Sequence, residues 1–336
     1  MKLKLLILLF LSAIVWCSIA VAQDENPYIY YYSEQHQSFV VERADGTDTR
    51  LIMSMPAESG SQFSGPGWSP DGEWFSWFAR ERWFSYPLHN AAVVNPSTGQ
   101  ILETINRGYN EIDGMIWSLN SQLLLVKGTF CLDCYNYVYS LASILEDQAL
   151  AGVVLMPEAG SAGEVKPYEW LPDNGGVVFY ELDALTPRAA TRITLFADGR
   201  VLKEPLTREE WPVLYPTPAP ETLEDLLSNR FISPQGRYLI EGGAITDTET
   251  GISHPLYTGS WSEREVGYLD AVEWHPSEEW AFLTFERGEG YFVTVLFKTD
   301  GTYQRELCTC HPGYNLIGWL PDNVDVDSIP LLADLP

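Results

Sequence analysis

The segment Gly67-Trp68-Ser69-Pro70-Asp71-Gly72 is the clearest copy of a frame that recurs five more times along this chain. The decayed copies are Ile116-Trp117-Ser118-Leu119-Asn120-Ser121, Glu169-Trp170-Leu171-Pro172-Asp173-Asn174, Phe231-Ile232-Ser233-Pro234-Gln235-Gly236, Glu273-Trp274-His275-Pro276-Ser277-Glu278 and Gly318-Trp319-Leu320-Pro321-Asp322-Asn323. The anchors at positions 68, 117, 170, 232, 274 and 319 lie 49, 53, 62, 42 and 45 residues apart. Such a period, with strands between the copies, is typical of repeated four-stranded units.

Each copy is followed by residues that predict strands and a second turn. Ser-Pro-Asp-Gly builds a tight turn between two strands. The segments that follow, such as Trp74 to Ala79 and Trp280 to Glu286, are rich in β-branched and aromatic residues. The second turn marker appears at Asp45-Gly46, Thr98-Gly99, Asp198-Gly199, Thr250-Gly251 and Asp300-Gly301. Each repeat therefore predicts four antiparallel strands.

On these six copies the chain resembles the TolB-like β-propeller family, over roughly residues 27–323. The resemblance implies an all-β fold, a six-bladed β-propeller of four-stranded blades. It implies no single function, because the repeat occurs in translocation accessory proteins, in propeller domains of peptidases and in sugar-acting enzymes.

The two ends of the repeat region predict how the ring closes. Tyr28 to Ser33, Ser38 to Arg43 and Thr49 to Ile52 look like three strands of a blade without a first strand, whereas Leu316 to Trp319 looks like a first strand with little after it. We therefore expect the N- and C-terminal strands to share one blade, which removes an open sheet edge. Residues 324–336 are then a C-terminal tail.

Residues 1–22 predict an export signal. Lys2 and Lys4 precede an apolar run, and Ala20-Val21-Ala22 forms a small-x-small cleavage site before Gln23. A retained membrane anchor is the alternative, because the apolar stretch reaches 18 residues, the length at which spanning begins. We expect cleavage, a soluble mature protein and a periplasmic or extracellular location.

The composition restricts the partners. The chain has 46 acidic and 20 basic side chains, for a net charge of −26, and removal of the signal makes it −28. This charge argues against binding to nucleic acid or to anionic membranes, which require basic surface. Aromatic content of 13% and hydrophobic content of 46% exclude a disordered acidic tail. We expect a monomer whose partner is a protein, a peptide or a glycan.

Four cysteines remain after cleavage of the signal, namely Cys131, Cys134, Cys308 and Cys310. An even number in an exported protein favours disulfides. We expect Cys131 and Cys134 to form a local loop disulfide, whereas Cys308 and Cys310 would close a small, strained and labile ring. A shared zinc site is the alternative, since the two pairs look like halves of one, although their blades lie about 150° apart in a sixfold ring.

Charged residues just before the Trp anchors predict a ligand site at the mouth of the axial channel. Asp113 and Asp270 lie four residues before their anchors, as does Lys166, and Glu169 and Glu273 lie one residue before theirs. Carboxylates there could bind a divalent cation or a cationic ligand. The acidic composition of the whole chain is the alternative explanation.

Two segments stand apart from the repeat. The loop Arg82-Trp83-Phe84-Ser85-Tyr86-Pro87 predicts a partner surface at Trp83, Phe84 and Tyr86, or else a cover over the outer strands. Residues 207–230 form a proline-rich stretch followed by a short acidic amphipathic helix. This insertion between blades is either a lid or docking element, or a tolerated addition.

No motif predicts catalysis. The chain lacks G-x-S-x-G, H-E-x-x-H and a phosphate-binding glycine loop, and its five histidines fall at unrelated positions in the repeat. We therefore expect a non-catalytic binding scaffold without a cofactor or metal. The alternative is a metal-assisted hydrolase or lyase that uses Asp113, Glu169, Asp270 and Glu273 around the axis, in which a divalent cation would be held.

Overall fold

The computed structural model describes residues 26–55, 63–79, 91–103, 111–129, 137–144, 152–155, 169–182, 190–206, 231–241, 243–256, 268–286, 292–310 and 316–334. None of these residues belongs to a helix long and apolar enough to cross a membrane. Several predictions fall outside the described residues: the signal at 1–22, the aromatic loop with Trp83, Phe84 and Tyr86, Cys131 and Cys134, Lys166, and the insertion at 207–230.

The described chain is all-β, and its strands form antiparallel sheets that follow one another in sequence. Sheet 1 contains β23 (Ile317–Trp319), β1 (Tyr28–Ser33), β2 (Ser38–Arg43) and β3 (Arg50–Ser54), in that spatial order. Sheet 2 contains β4 (Phe63–Trp68), β5 (Phe75–Ala79), β6 (Ala91–Asn95) and β7 (Gln100–Glu103). Sheet 3 contains β8 (Glu111–Trp117), β9 (Leu123–Thr129), β10 (Tyr137–Ser143) and β11 (Gly152–Leu155).

The second half of the chain forms three further antiparallel sheets, each from strands that are consecutive in the sequence. Sheet 4 contains β12 (Glu169–Trp170), β13 (Gly176–Leu182), β14 (Ala190–Phe196) and β15 (Val201–Pro205). Sheet 5 has three described strands, β16 (Tyr238–Glu241), β17 (Ala244–Asp247) and β18 (Ser253–Pro255). Sheet 6 contains β19 (Tyr268–Trp274), β20 (Trp280–Glu286), β21 (Phe292–Lys298) and β22 (Gln304–Cys310). The predicted all-β class and the four-stranded antiparallel units are confirmed.

The first and the last described strands pair in sheet 1. The C-terminal strand β23 pairs with β1, so that Trp319 lies opposite Ile29 and Gly318 lies opposite Tyr30. Leu320 also donates its backbone N–H to the carbonyl of Tyr28, 2.9 Å away. The polar backbone groups along this side of β1 are therefore paired rather than left as an open edge.

The turn that follows each anchor keeps its geometry although its sequence decays. In five copies the sixth residue of the frame donates its N–H to the carbonyl of the third, at 2.7 to 3.0 Å, and has a φ between 53° and 79°. Those sixth residues are Gly72, Ser121, Asn174, Gly236 and Glu278. In the last copy the bond moves on by one residue, from Val324 to Pro321.

Two of the non-glycine residues at this position also bond to the turn of the preceding sheet. The Ser121 hydroxyl accepts the N–H of Asp71 at 2.9 Å. Glu278 accepts the hydroxyl of Ser233 at 2.8 Å and the N–H of Gln235. A left-handed residue other than glycine is strained by about 1–3 kcal/mol, and these bonds between sheets help to offset that strain.

Apolar side chains fill the spaces between successive sheets, which we call seams. Buried clusters join sheets 1 and 2, sheets 2 and 3, sheets 3 and 4, and sheets 5 and 6. A fifth cluster joins sheet 6 back to sheet 1 through residues such as Trp280, Phe282, Ile29 and Val40. The described core therefore lies between sheets that pack face to face, and it links the last sheet to the first.

The seam between sheets 6 and 1 also contains an ion pair. Arg305 on β22 lies 2.5 Å from the Glu42 carboxylate on β2, and the Tyr31 hydroxyl donates to the same carboxylate at 2.9 Å. The indole of Trp319 stacks on Phe282 with a centroid distance of 4.2 Å. Polar and aromatic contacts thus add to the apolar packing beside the sheet in which the first and the last described strands pair.

The C-terminal residues 323–332, which we call the strap, cross the end of sheet 1. Val324 and Ile329 are buried in the seam between sheets 1 and 2. Arg50 donates to the carbonyls of Val326 and Ile329 at 2.8 and 3.1 Å, and it pairs with Asp327 at 3.0 Å. Residues 324–336 are a C-terminal tail in the sequence-based prediction, and within them the structure buries Val324 and Ile329 in the seam between sheets 1 and 2.

Candidate functional site

The residue before each Trp anchor occupies an equivalent position at the end of the first strand of its sheet. It pairs with the residue of the second strand that directly follows the partner of the Trp. The equivalent residues are Gly67, Ile116, Glu169, Glu273 and Gly318. Glu169 and Glu273 are therefore equivalent in the structure as well as in the repeat.

The other two predicted acids lie at equivalent bulges. The register shifts between Ile112 and Gly114 and between Leu269 and Ala271, so that Asp113 and Asp270 are the extra residues. A β-bulge leaves the backbone of its extra residue out of the pairing between the two strands. That these residues bind a ligand stays a prediction.

Tyr30 is a residue of this region that the sequence analysis missed. A Cβ atom added to Gly67 on sheet 2, or to Gly318 on sheet 1, would lie only 2.6 Å from the Tyr30 hydroxyl oxygen. The tyrosine therefore occupies space that two glycines leave free, and its ring packs edge-on against Phe75 at 5.7 Å. Glycine at the equivalent position in two neighbouring sheets is the signal that could have revealed it.

Glu273 on sheet 6 lies within electrostatic reach of Tyr30 on sheet 1. Burial, and after it the charge of Glu273, raises the pKa of Tyr30 to about 12. The Glu273 side chain is accessible to solvent, but enough protein surrounds it that loss of hydration raises the pKa of its carboxyl group. The structure therefore brings one predicted site residue, Glu273, to a place where three sheets meet.

Replacing Glu273 by Gln is expected to stabilise the protein at pH 8 and not at pH 3.5. The raised pKa means that the folded state disfavours the charged form of the Glu273 carboxyl group. The free energy of unfolding of the wild type therefore falls as the pH rises from the pKa of the unfolded state, near 4.3, through the higher pKa of the folded state. Since water still reaches the group, the gain should stay below about 1 kcal/mol. Urea unfolding at both pH values measures the difference.

The matched control is Glu279→Gln, which removes an exposed acid from the same turn. Because the Glu279 side chain is exposed, its replacement should change the free energy of unfolding by no more than about 0.5 kcal/mol. A Glu273→Gln variant that differs from wild type equally at pH 3.5 and pH 8 would contradict the assignment of a raised pKa.

The remaining predicted site residues are not brought together into a metal centre in the described part of the chain. Among the described residues, no group of three His, Cys, Asp or Glu side chains is placed to hold a metal ion. Cys308 and Cys310 both lie in the edge strand β22, opposite Thr294 and Phe292. Their oxidation state and pairing stay predictions.

A cavity of about 380 Å³ opens between sheets 1 and 2, at the end of the sheets where the anchor turns lie. Its lining includes the apolar residues Trp68, Val324 and Ile329 and the acidic residues Asp71, Glu73 and Asp325. The strap supplies one side of the cavity, and two turns of sheet 2 supply the other. None of its described lining residues is basic.

The strap can lie this close to sheet 2 because the facing turn residue is glycine. Gly72 has a φ of 78°, and a Cβ atom there would lie 2.7 Å from the backbone oxygen of Asn323. Along the strap, burial alternates from Val324, which is buried, to Asp325, which is exposed. The same alternation is visible in the sequence Asp322-Asn323-Val324-Asp325-Val326-Asp327, but the sequence alone does not show what the valines pack against.

The acids of the strap have different surroundings. Asp327 pairs with Arg50, which also pairs with Asp48 at 3.0 Å. In the described part of the chain, neither Asp325 nor Glu73 forms an ion pair, and both are exposed at the cavity. Among the described residues, the lining of the cavity is therefore acidic and contains no basic side chain.

Comparisons with known proteins give similarity at the level of solved structures alone. No protein-family model matches the chain, and no curated protein matches it. TolB from Acinetobacter baumannii is 15% identical over 89% of this chain and 67% of its own, with a TM-score of 0.39. A chain of a nidogen/laminin complex is 11% identical over 85% of this chain and 94% of its own, with a TM-score of 0.34.

A putative TolB from Agrobacterium tumefaciens is 12% identical over 89% of this chain and 99% of its own, with a TM-score of 0.32. These TM-scores are too low for the likeness to bear on fold or function. Both are therefore inferred from the sheets, the seams and the cavity.

Proposed function

We propose that the chain is an exported, six-bladed β-propeller of the TolB-like kind that acts as a non-catalytic binding scaffold. Five of the six seams that such a ring needs are supported by described clusters, including the seam from sheet 6 to sheet 1. The sixth seam would lie between sheets 4 and 5, which residues 207–230 separate in the sequence. A bridge between Ile232 and Leu239 supports a fourth strand in sheet 5.

The remaining features of the proposal follow from the sequence. Residues 1–22 direct export and are removed, which leaves a monomer with a propeller over residues 27–323. The mature protein acts in the periplasm or outside the cell and binds a protein, a peptide or a glycan. Its strongly acidic charge disfavours nucleic acid as a partner.

The cavity between sheets 1 and 2 is the observation that carries the binding function. The strap and two turns of sheet 2 border an open cavity of about 380 Å³. This volume lies within the range of about 300–1,000 Å³ that is typical of ligand pockets. The lining combines the apolar residues Trp68, Val324 and Ile329 with a larger number of acidic, amide and hydroxyl groups, and such groups can fix the orientation of one polar group of a larger partner.

The mature protein should bind members of a peptide library or a glycan array, and a substitution that fills the cavity should abolish that binding. Ser97→Trp places a large side chain at an exposed lining residue. We expect its affinity for the selected ligands to fall at least about tenfold, equivalent to 1.4 kcal/mol. Biolayer interferometry with immobilised ligands measures the change.

The matched control is Glu249→Trp, because Glu249 is exposed at the equivalent position of the corresponding turn in sheet 5. It should bind as wild type does. If Ser97→Trp bound the selected ligands at full affinity, the cavity would not be their binding site. Turnover of a ligand that depends on a metal would instead support the alternative of a hydrolase or lyase.

A further inference from the structure

We propose that His275 is a pH-sensitive latch on the seam between sheets 6 and 1. Its neutral ring holds the turn that follows β19 and packs against Trp319 of the C-terminal strand. Protonation in mild acid removes the first contact and turns the ring away from the second, toward Asp322. The proposal goes beyond the proposed function, because it concerns how the packing of the sheets responds to pH.

The hydrogen bonds of His275 define the protonation state of its ring. The backbone N–H of Ser277 points at Nδ1 with a nitrogen-to-nitrogen distance of 3.2 Å, and a backbone N–H can only donate. Nδ1 is therefore the accepting nitrogen, and the neutral ring carries its proton on Nε2. In this state the Ser277 hydroxyl, 2.8 Å away, also donates to Nδ1. A proton on Nδ1 would abolish the bond from the backbone and force the hydroxyl to turn round.

Mild acid acts on this contact because the acceptor is an imidazole. In other turns of the described chain an aspartate carboxylate accepts the N–H of the residue two positions further on, at 2.9 to 3.1 Å, as at Asp45, Asp198 and Asp247. A carboxylate takes up a proton only near pH 4, whereas an imidazole does so near pH 6.5. His275 therefore makes its turn sensitive in a pH range in which the aspartate turns keep their acceptors.

The ring of His275 also forms part of the seam. It meets the indole of Trp319 in a T-shaped contact, with centroids 4.8 Å apart, and that indole stacks on Phe282 of β20 at 4.2 Å. Trp319 belongs to β23, which pairs with β1. Burial at this place opposes the charged ring and lowers the pKa of His275 from its ordinary value near 6.5. The contact with the C-terminal strand therefore favours the neutral ring.

The protonated ring has a partner on the neighbouring turn. Asp322 is exposed in the turn that follows β23, and its charge favours the protonated form of His275, although less strongly than burial opposes it. The segment of His275 itself contains Glu273, Glu278 and Glu279, but among the described residues Asp322 is the one whose charge acts on the ring. The neutral ring thus belongs against the indole, and the charged ring belongs in solvent beside the carboxylate.

Nitrogen-15 spectra of the histidine-labelled mature protein test the protonation state directly. The mature chain contains five histidines, and the signal that is lost in His275→Asn belongs to His275. At pH 7.5 we expect the form with the proton on Nε2, and the ring should titrate with a midpoint below pH 6.5. A ring that carries its proton on Nδ1 at pH 7.5, or that titrates at or above pH 6.5, would overturn the proposal.

The release of the indole is followed in the same titration with uniformly labelled protein. The indole N–H signal of Trp319, which is identified by its loss in Trp319→Phe, should shift with the midpoint of His275. An indole signal that stays constant while His275 titrates would show that the ring does not move, which would also overturn the latch.

Urea unfolding measures the contribution of the latch to stability. Because the pKa of His275 is lowered in the folded state, the free energy of unfolding falls as the pH falls from the unfolded pKa near 6.5 toward the folded pKa. Between pH 7.5 and pH 5.5, the unfolding equilibrium constant of wild type should rise at least about twofold, and at most about tenfold, relative to that of His275→Asn. The asparagine side chain has an oxygen that accepts the Ser277 N–H at every pH.

His36→Asn is the matched control, since His36 is exposed in the turn between β1 and β2. It should keep the full pH dependence of wild type. If His275→Asn does not fold, His275→Ser takes its place, because serine stands at this position of the frame in Ser69, Ser118 and Ser233. The same pH dependence in wild type and in the variant at position 275, or an equal loss of it in His36→Asn, would contradict the latch.

Discussion

A chain that ends at residue 315 is expected to lose the single cooperative unfolding transition of the full-length protein. The deletion removes β23, which uncovers the backbone of β1, and it removes Leu316, Val324 and Ile329 from the seam between sheets 1 and 2. Burial of each such side chain contributes about 1.5–3 kcal/mol. Their sum is comparable with the whole stability of a typical domain, about 5–15 kcal/mol.

Urea unfolding followed by both tryptophan fluorescence and circular dichroism measures this effect in the mature protein. The shortened chain should show transitions that no longer coincide, or none at all. A chain that ends at Pro330 is the control, because it keeps β23 and both buried strap residues and should lose no more than about 2 kcal/mol through the hydrogen bond of Leu332 and the bridge of Leu331. Equal unfolding midpoints for the two shortened chains would contradict the role of β23.

Phe39→Ala is expected to lower the free energy of unfolding by about 3–5 kcal/mol. Phe39 is fully buried at the seam between sheets 1 and 2, with ring centroids 5.1 Å from Phe63, 5.4 Å from Phe75 and 5.8 Å from Trp77. Alanine would leave a cavity among these rings, and close packing prevents them from collapsing into it. Urea unfolding at constant pH measures the loss.

Two comparisons bracket this result. Phe39→Leu keeps most of the buried volume and should lose clearly less stability than Phe39→Ala. Ile101→Ala truncates a residue of β7 that is 47% exposed, so it should change stability by no more than about 0.5 kcal/mol. If Phe39→Ala cost no more than Ile101→Ala, the seam would not be the core that we describe.

The strands and turns of this protein were predictable because their causes are local. The frame around Trp68 places a turn where proline and aspartate favour one, and the observed turn recurs even where the sequence has decayed to Ser118-Leu119-Asn120-Ser121. The pairing of Leu316 to Trp319 with the first strand also followed from counting strands. The position of the strap could not be predicted in this way, because no local sequence pattern shows which seam Val324 and Ile329 fill.

The candidate sites also include positions that the repeat predicts and positions that depend on contacts between remote segments. The equivalent positions of Glu169 and Glu273 were predictable because the repeat places both residues at the same point of their units, whereas their role in binding a ligand stays a prediction. Tyr30 was missed, since its place depends on Gly67 and Gly318, which lie far from it in sequence. The cavity was also missed, because it requires Glu73 and Asp325 to meet across more than half the length of the chain.

Strand alternation and turn chemistry act over a few residues, so the all-β class, the period of the repeat and the turn in each unit could be predicted from the sequence. The packing of the strap places Arg50 beside Asp327, whereas Asp325 lines a cavity that has no basic residue in its described lining. Ion pairs and cavities of this kind depend on distances between segments that are remote in the chain. Those distances are set by how the sheets and the strap pack together.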